Sequence, residues 1–198
     1  MLINWQQRQL NLKVVYYGPA LSGKTTNLEQ IHSRMDPSRC SDLVSLKTAE
    51  DRTLYFDFLQ LELGKVCGLT PKIHLYTVPG QSYYEESRRI VLRGADGVVF
   101  VADSSSDRLE DNVAAWINLG EHLKSFNLMM DEIPVIIQYN KRDLPDAMPI
   151  YSLMDELGTE RFPAFEAVAF QGKGILDTLK AVIGGVMTRV QKNIQPSY

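Results

Sequence analysis

Residues 18–25 read GPALSGKT: a glycine, four residues, then Gly-Lys-Thr. That spacing suits a loop whose backbone N–H groups wrap phosphate oxygens, provided a strand precedes it and a helix follows. The helix N-terminus adds positive potential where the anion sits. Lys24 would neutralise β- and γ-phosphate oxygens, and the Thr25 hydroxyl would be one magnesium ligand. Gly18 and Gly23 allow a close backbone approach that a Cβ would hinder. Ala20, Leu21, Ser22 and Thr26 complete the stretch expected to contact a nucleotide.

A second constellation lies far downstream. NKRD (140–143) directly follows the apolar run IPVIIQY, which places it at the C-terminal end of a strand, where doubly wound sheets bind ligands. The Asp143 carboxylate can accept from N1–H and the 2-amino group of guanine. Adenine offers neither donor, and a site built on such bonds rejects the wrong analogue by roughly 10⁴ or more. Asn140 would tie the pocket to neighbouring loops, and the Lys141 stem would cover one face of the base. EAVAF (166–170) is placed to present Val168 and the Ala169 amide to the guanine carbonyl.

The elements that must hold these loops alternate. LNLKVVYY (10–17) is strand-like and breaks at Gly18; KTTNLEQIHSRM (24–35) has helical spacing. TLYFDFLQLEL (53–63) and KIHLYTV (72–78) alternate as the two arms of a hairpin. SYYEESRRIVLRG (82–94) is helical, GVVFVAD (97–103) is a buried strand, and 108–126 is a long amphipathic helix with Asp107 as its N-cap. IPVIIQY (133–139), a short helix at 151–157, a strand at 165–170 and a helix from Gly174 to about Gln191 close the chain. The order predicts an α/β fold: a mostly parallel central sheet with one antiparallel edge strand and helices on both faces. LINW near the start should pair back on strand 10–17. Residues 1–198 show no linker or repeat and read as one domain.

Bulk properties narrow the function classes. With 44% hydrophobic and 23% charged residues the chain can bury a core. A net charge of −3 provides no electrostatic footprint for nucleic acid. No apolar run approaches a membrane span, and the N-terminus lacks both a signal-peptide core and a second-position glycine for myristoylation. Cys40 and Cys67 have no metal-type spacing and read as free thiols of a reducing, cytoplasmic protein. The three histidines are scattered.

GPALSGKT, TVPGQ (77–81) and NKRD, in this order and spacing, resemble the Ras-like small GTPases. AEDRTLYFDF (49–58), TVPGQ and NKRDLPDA (140–147) together resemble the bacterial mutual-gliding protein A (MglA) type, over about residues 8–190. The resemblance implies a Ras-like P-loop fold that hydrolyses GTP to GDP with Mg²⁺. It implies a switch that is slow alone, is stimulated by a Roadblock/LC7-type (MglB-like) partner and acts on polarity or motility effectors. Partners would recruit it to cell poles or to the inner membrane surface. Thr53 resembles the switch threonine that reaches the metal and the γ-phosphate. Gly80 holds the γ-phosphate sensor position, Gln81 would orient the attacking water, and Arg52 would be an arginine finger supplied in cis.

Two positions depart from the Ras pattern. Thr77 stands where an aspartate usually reaches magnesium through water, a substitution shared with the mutual-gliding type. A hydroxyl can orient that water without supplying charge, and Asp51 or Asp57 could add a carboxylate. Ala20 replaces a loop glycine close to Gln81. These departures keep a second reading open, a GTP-dependent binding module that does not hydrolyse. A P-loop kinase is a third, opposed by NKRD.

Overall fold

A computed structural model describes residues 1–46, 56–66, 68–80 and 84–194. Arg52, Thr53, Gln81, Asp51 and Cys67, all singled out above, lie outside the described residues.

The strands are β1 (Leu2–Asn4), β2 (Gln9–Tyr17), β3 (Val44–Leu46), β4 (Phe56–Glu62), β5 (Thr70–Thr77), β6 (Gly97–Asp103), β7 (Val135–Asn140) and β8 (Ala164–Glu166). The helices are α1 (Lys24–Arg34), α2 (Glu85–Leu92), α3 (Leu109–Ser125), α4 (Ile150–Leu157) and α5 (Ile175–Ile194). The sheet runs β3-β4-β5-β2-β6-β7-β8, and β1 pairs with β2 off that path. β2, β5, β6, β7 and β8 are mutually parallel, while β3 and β4 add an antiparallel edge. The fold is therefore the expected mixed α/β sheet, with more antiparallel pairing than one edge strand. β3 arises between the helix expected at 24–35 and the strand expected at 53–63, where the sequence suggested no element, and β1 folds back on Leu10 as LINW suggested.

Burial follows the sequence pattern. β6 and β7 are buried along their whole length, as continuous apolar runs should be, whereas β4 and β5 alternate. Two hydrophobic clusters flank the sheet. Leu28 and Ile31 of α1 and Ile175 to Val190 of α5 fill one face. Val91 and Leu92 of α2, Ala115 to Leu123 of α3 and Leu153 of α4 fill the other. Every parallel strand ends on the same edge of the sheet, so the phosphate loop after β2, residues 78–80 after β5, Asp103, Asn140 and the loop after β8 converge there.

Two local expectations fail. Asp107 does not cap α3; it lies in a preceding 3-10 turn and accepts from the Ser105 hydroxyl at 2.6 Å, while Arg108 occupies the cap position. The strand read over 165–170 stops at Glu166, and Ala169–Gln171 form a 3-10 turn. That turn breaks the pleat where the chain must present backbone rather than side chains to a neighbouring loop.

Candidate functional site

At the phosphate loop, Gly18 has φ 145° and Gly23 φ 99°, both in the region glycine favours. A Cβ on Gly18 would strike the Val101 carbonyl, and one on Gly23 would strike the Asn140 side-chain amide. Lys24 is buried under the loop, and its ammonium donates to the carbonyls of Gly18 (3.0 Å) and Pro19 (2.5 Å). Burial first, then the nearby Arg88 guanidinium, bring its pKa down to about 7, with Asp57 opposing. The Ala20 carbonyl accepts from Arg108 Nη2 at 2.9 Å. Gly80 packs so tightly that any Cβ there would collide with the Ala20 backbone. The glycine of TVPGQ is thus a contact requirement, and it sets the start of the Gln81 segment directly on the third position of the loop.

The base side is interlocked with the phosphate side. Asn140, at the end of β7, donates through Nδ2 to the Ser22 carbonyl at 2.8 Å and accepts at Oδ1 from the Ala169 amide at 2.8 Å. A guanine carbonyl must share or displace that second bond to use Ala169. Lys141 has φ 63°, an uncommon backbone for a lysine, and its ammonium is anchored 2.5 Å from the fully buried Asp103. The anchor stretches the aliphatic stem along a cavity of about 250 Å³ lined by Leu21, Thr26, Asn140, Lys141, Asp143 and Phe170 among others. Asp143 is exposed at its mouth, and Val168 and Ala169 close its floor.

Beneath both loops lies a polar chain that sequence reading missed. Asn27 of α1 exchanges two hydrogen bonds with Gln138 of β7 (2.8 and 3.0 Å), and Gln138 also donates to Thr178 of α5 at 3.0 Å. All three residues are buried. The available signal was a lone glutamine inside IPVIIQY and an asparagine immediately before Leu28; Asp103 likewise ends an otherwise apolar strand.

The metal side answers the question raised by Thr77. Phe58 faces Tyr76 in the β4–β5 register, which sets Asp57 beside Thr77. The Asp57 carboxylate is 9% exposed and Thr77 3%. Thr25 Oγ1 donates to Asp57 Oδ2 at 2.6 Å, Thr77 Oγ1 donates to the same oxygen at 2.9 Å, and Ser45 Oγ donates to Oδ1 at 2.8 Å. The Asp57 amide in turn donates to Thr77 Oγ1 at 2.8 Å. A carboxylate therefore does stand against the Thr25 hydroxyl, carried one strand over from Thr77. Of the two acidic residues considered from the sequence, Asp57 is the one so placed, and Asp51 is outside the described residues. Hard oxygen donors of this kind, completed by phosphate oxygens and water, suit Mg²⁺.

Among the described residues no helix is long and apolar enough to cross a membrane. Comparison with known proteins agrees with the geometry. The family model of the ADP-ribosylation factor family matches residues 1–185. The mutual gliding-motility protein MglA of Myxococcus xanthus is 47% identical over 190 residues, covering 96% of this chain and 97% of that protein. The GTPase Obg of Halalkalibacterium halodurans is 30% identical over 91 residues, 46% of this chain and 21% of its own. Elongation factor 4 of Amoebophilus asiaticus is 30% identical over 161 residues, 71% of this chain and 24% of its own. With a phosphate loop, a TVPGQ segment and an NKRD loop converging on one sheet edge, and a family match over nearly its whole length, this chain belongs to the ADP-ribosylation factor family of small GTPases.

Proposed function

We propose that this protein is an MglA-type molecular switch that binds GTP, hydrolyses it to GDP and phosphate, and governs cell polarity or gliding motility. The observation that carries the nucleotide reading is Asn140. It joins the phosphate loop, through Ser22, to the base loop, through Ala169, with two 2.8 Å hydrogen bonds from one side chain. The biological role follows the 47% identity to the Myxococcus xanthus gliding-motility protein.

The residues divide the work. Backbone amides of residues 18–26 and the Lys24 ammonium hold the phosphates, and Asp143, Lys141 and Ala169 hold guanine. Thr25, with Asp57 directly or through water and Thr53 from the switch, would hold Mg²⁺. Magnesium, when bound, neutralises charge on the β- and γ-phosphate oxygens. Thr77 acts by fixing the Asp57 carboxylate, which makes the missing aspartate a relocated charge rather than a lost one. Gln81 orients water for in-line attack on the γ-phosphorus. Arg52, carried in cis, stabilises the charge developing on the transferred group, a contribution worth roughly 10³–10⁵ in rate. The protein acts as one domain over residues 1–198. It lies in the cytoplasm, is activated by a Roadblock/LC7-type partner, and acts on polarity or motility effectors that place it at poles or at the inner membrane surface.

Single-turnover phosphate release tests this reading. The expected result is slow release from GTP alone, acceleration by the partner, and loss of most of that acceleration in Arg52→Ala with GTP affinity kept. Tight GTP binding without phosphate release under either condition would identify a binding module instead. Equal affinity for ATP and GTP would remove the guanine assignment.

A further inference from the structure

A buried polar knot lies where α2 and α3 meet the end of β2. Tyr17, fully buried, is the residue directly before Gly18. Its hydroxyl meets Nδ1 of His122, on α3, at 3.0 Å, and the two rings stand edge to face. Burial above all holds the phenol pKa well above its usual range, so Tyr17 keeps its proton and donates it to Nδ1. The proton of the neutral imidazole then sits on Nε2. His122 is 4% exposed, and Nε2 has no hydrogen-bond partner among the described residues. The atom facing it is Glu85 Oε1 at 3.7 Å, on the first turn of α2. An approach of about 1 Å would make that contact a hydrogen bond. Arg88, one turn further along α2 and also buried, holds its guanidinium 6.0 Å from the centre of the Tyr17 ring. Glu85 and Arg88 thus share the face that α2 turns toward Tyr17 and His122.

We propose that His122 is a positioning residue, a latch between Tyr17 on the strand that feeds the phosphate loop and Glu85 on the helix that follows Gln81. Glu85 comes four residues after Gln81, whose role in hydrolysis rests on the GTPase reading above. The latch is half made: its Tyr17 side is bonded and its Glu85 side is poised. Closing it gives the buried Nε2–H an acceptor, and an unpaired buried donor is costly. Switch segments of GTPases are ordered by the γ-phosphate and released after hydrolysis. The latch gives the start of α2 a fixed seat against the foot of the phosphate loop when that ordering occurs.

The imidazole faces Tyr17 from β2 and Glu85, Arg88 and Arg89 from α2, while Glu121 of α3 itself bears on Tyr17. Burial first, then Arg88, hold its pKa below the usual histidine value, against the pull of Glu85. His122 is therefore neutral at neutral pH, and acid changes its bonding. A second ring proton, on Nδ1, takes the place that the Tyr17 proton occupies, so the strand side opens while the helix side tightens on Glu85.

Imidazole ¹⁵N spectra and single-turnover phosphate release test the latch. The signals of His122 are those lost in His122→Phe. At neutral pH they should report the Nε2–H tautomer, shift in Glu85→Ala, and move when GDP is replaced by a non-hydrolysable GTP analogue. His122→Phe should slow phosphate release about tenfold at unchanged GTP affinity, the factor of one lost buried hydrogen bond. Release by the parent should slow as pH falls through the titration of His122. His122→Gln keeps an acceptor and a donor at its end and does not titrate, so it should recover most of the rate and flatten that limb. An Nδ1–H tautomer, signals indifferent to Glu85→Ala, or a parent-like rate and pH profile in His122→Phe would each overturn the latch. A parent chain that binds no guanine nucleotide would instead sink the GTPase reading, and the tautomer and its response to Glu85→Ala would still decide the latch.

Discussion

The base end and the metal end of the cleft are built on opposite principles. At the base end, short loops leave fully buried central strands; the Asn140 side chain ties the loops of Ser22 and Ala169 together, and Lys141 is anchored on the buried Asp103. At the metal end, the decisive carboxylate sits on β4, next to the edge strand β3, and is held by hydroxyls from α1, β3 and β5. The first arrangement resists displacement. The second depends on the register of one antiparallel pair, because a one-residue slip would turn Asp57 to the other face. Under the GTPase reading, nucleotide identity would rest on the part locked by buried side chains and metal dependence on the part set by strand register.

If that division is right, disabling the base end should have the largest effect and should act with or without metal. Asp143→Asn should weaken GDP and GTP on the order of 10⁴-fold. Xanthine nucleotides should recover much of the loss, and a competition titration repeated in chelator should give the same ratio. Asp57→Asn should leave GDP affinity in chelator unchanged but lower the Mg²⁺ affinity of the complex by about 10–100-fold, the range for a partner that orients a metal ligand. A magnesium titration of GDP release reads it directly, and a parent-like midpoint would break the relocated-carboxylate account.

Thr77→Ala should shift that midpoint less than Asp57→Asn does. It should also destabilise the fold by about 1–3 kcal/mol in urea unfolding, because a buried carboxylate loses one of its donors. Thr77→Asp is the sharper companion. Two adjoining carboxylates cannot both ionise easily, so one pKa rises, and the single variant should bind magnesium poorly at neutral pH. Adding Asp57→Thr should restore binding, since the swap returns one charge to the pair. The smallest effect concerns Lys24. Its pKa of about 7 rises once phosphate oxygens surround it. At pH 8.5 GDP binding should take up a fraction of a proton, with this uptake fading as pH falls through 7 and Lys24 is already charged. Calorimetry in buffers of different ionisation enthalpy measures it.

The same contrast explains what could be read from the chain alone. GPALSGKT and NKRD are contiguous because each is a single loop whose geometry is set by its own residues, so their place between strand and helix was legible. The Asp57–Thr77 pair was not. Its members lie 20 residues apart and meet only through the β4–β5 register, so the sequence could offer Asp57 merely as one of two candidates. The Asn27–Gln138–Thr178 chain spans three elements and carries no spacing rule. Asp107 misled because a good N-cap residue also serves well in a preceding turn, and the 3-10 turn at Ala169 hid behind the β-favouring string FEAVAF.

That buried amide chain has a consequence for time as well as for shape. Asn27 and Gln138 fix α1 against β7, and Arg34 pins the far end of α1 to the loop after β8. The loops on the two sides of the cleft are therefore tied to one helix and keep a constant separation. Under the GTPase reading proposed above, a nucleotide gripped by such a caliper would leave only when a loop lets go, so the lifetime of each state would be set by bond cleavage and by exchange, two clocks that can be regulated separately.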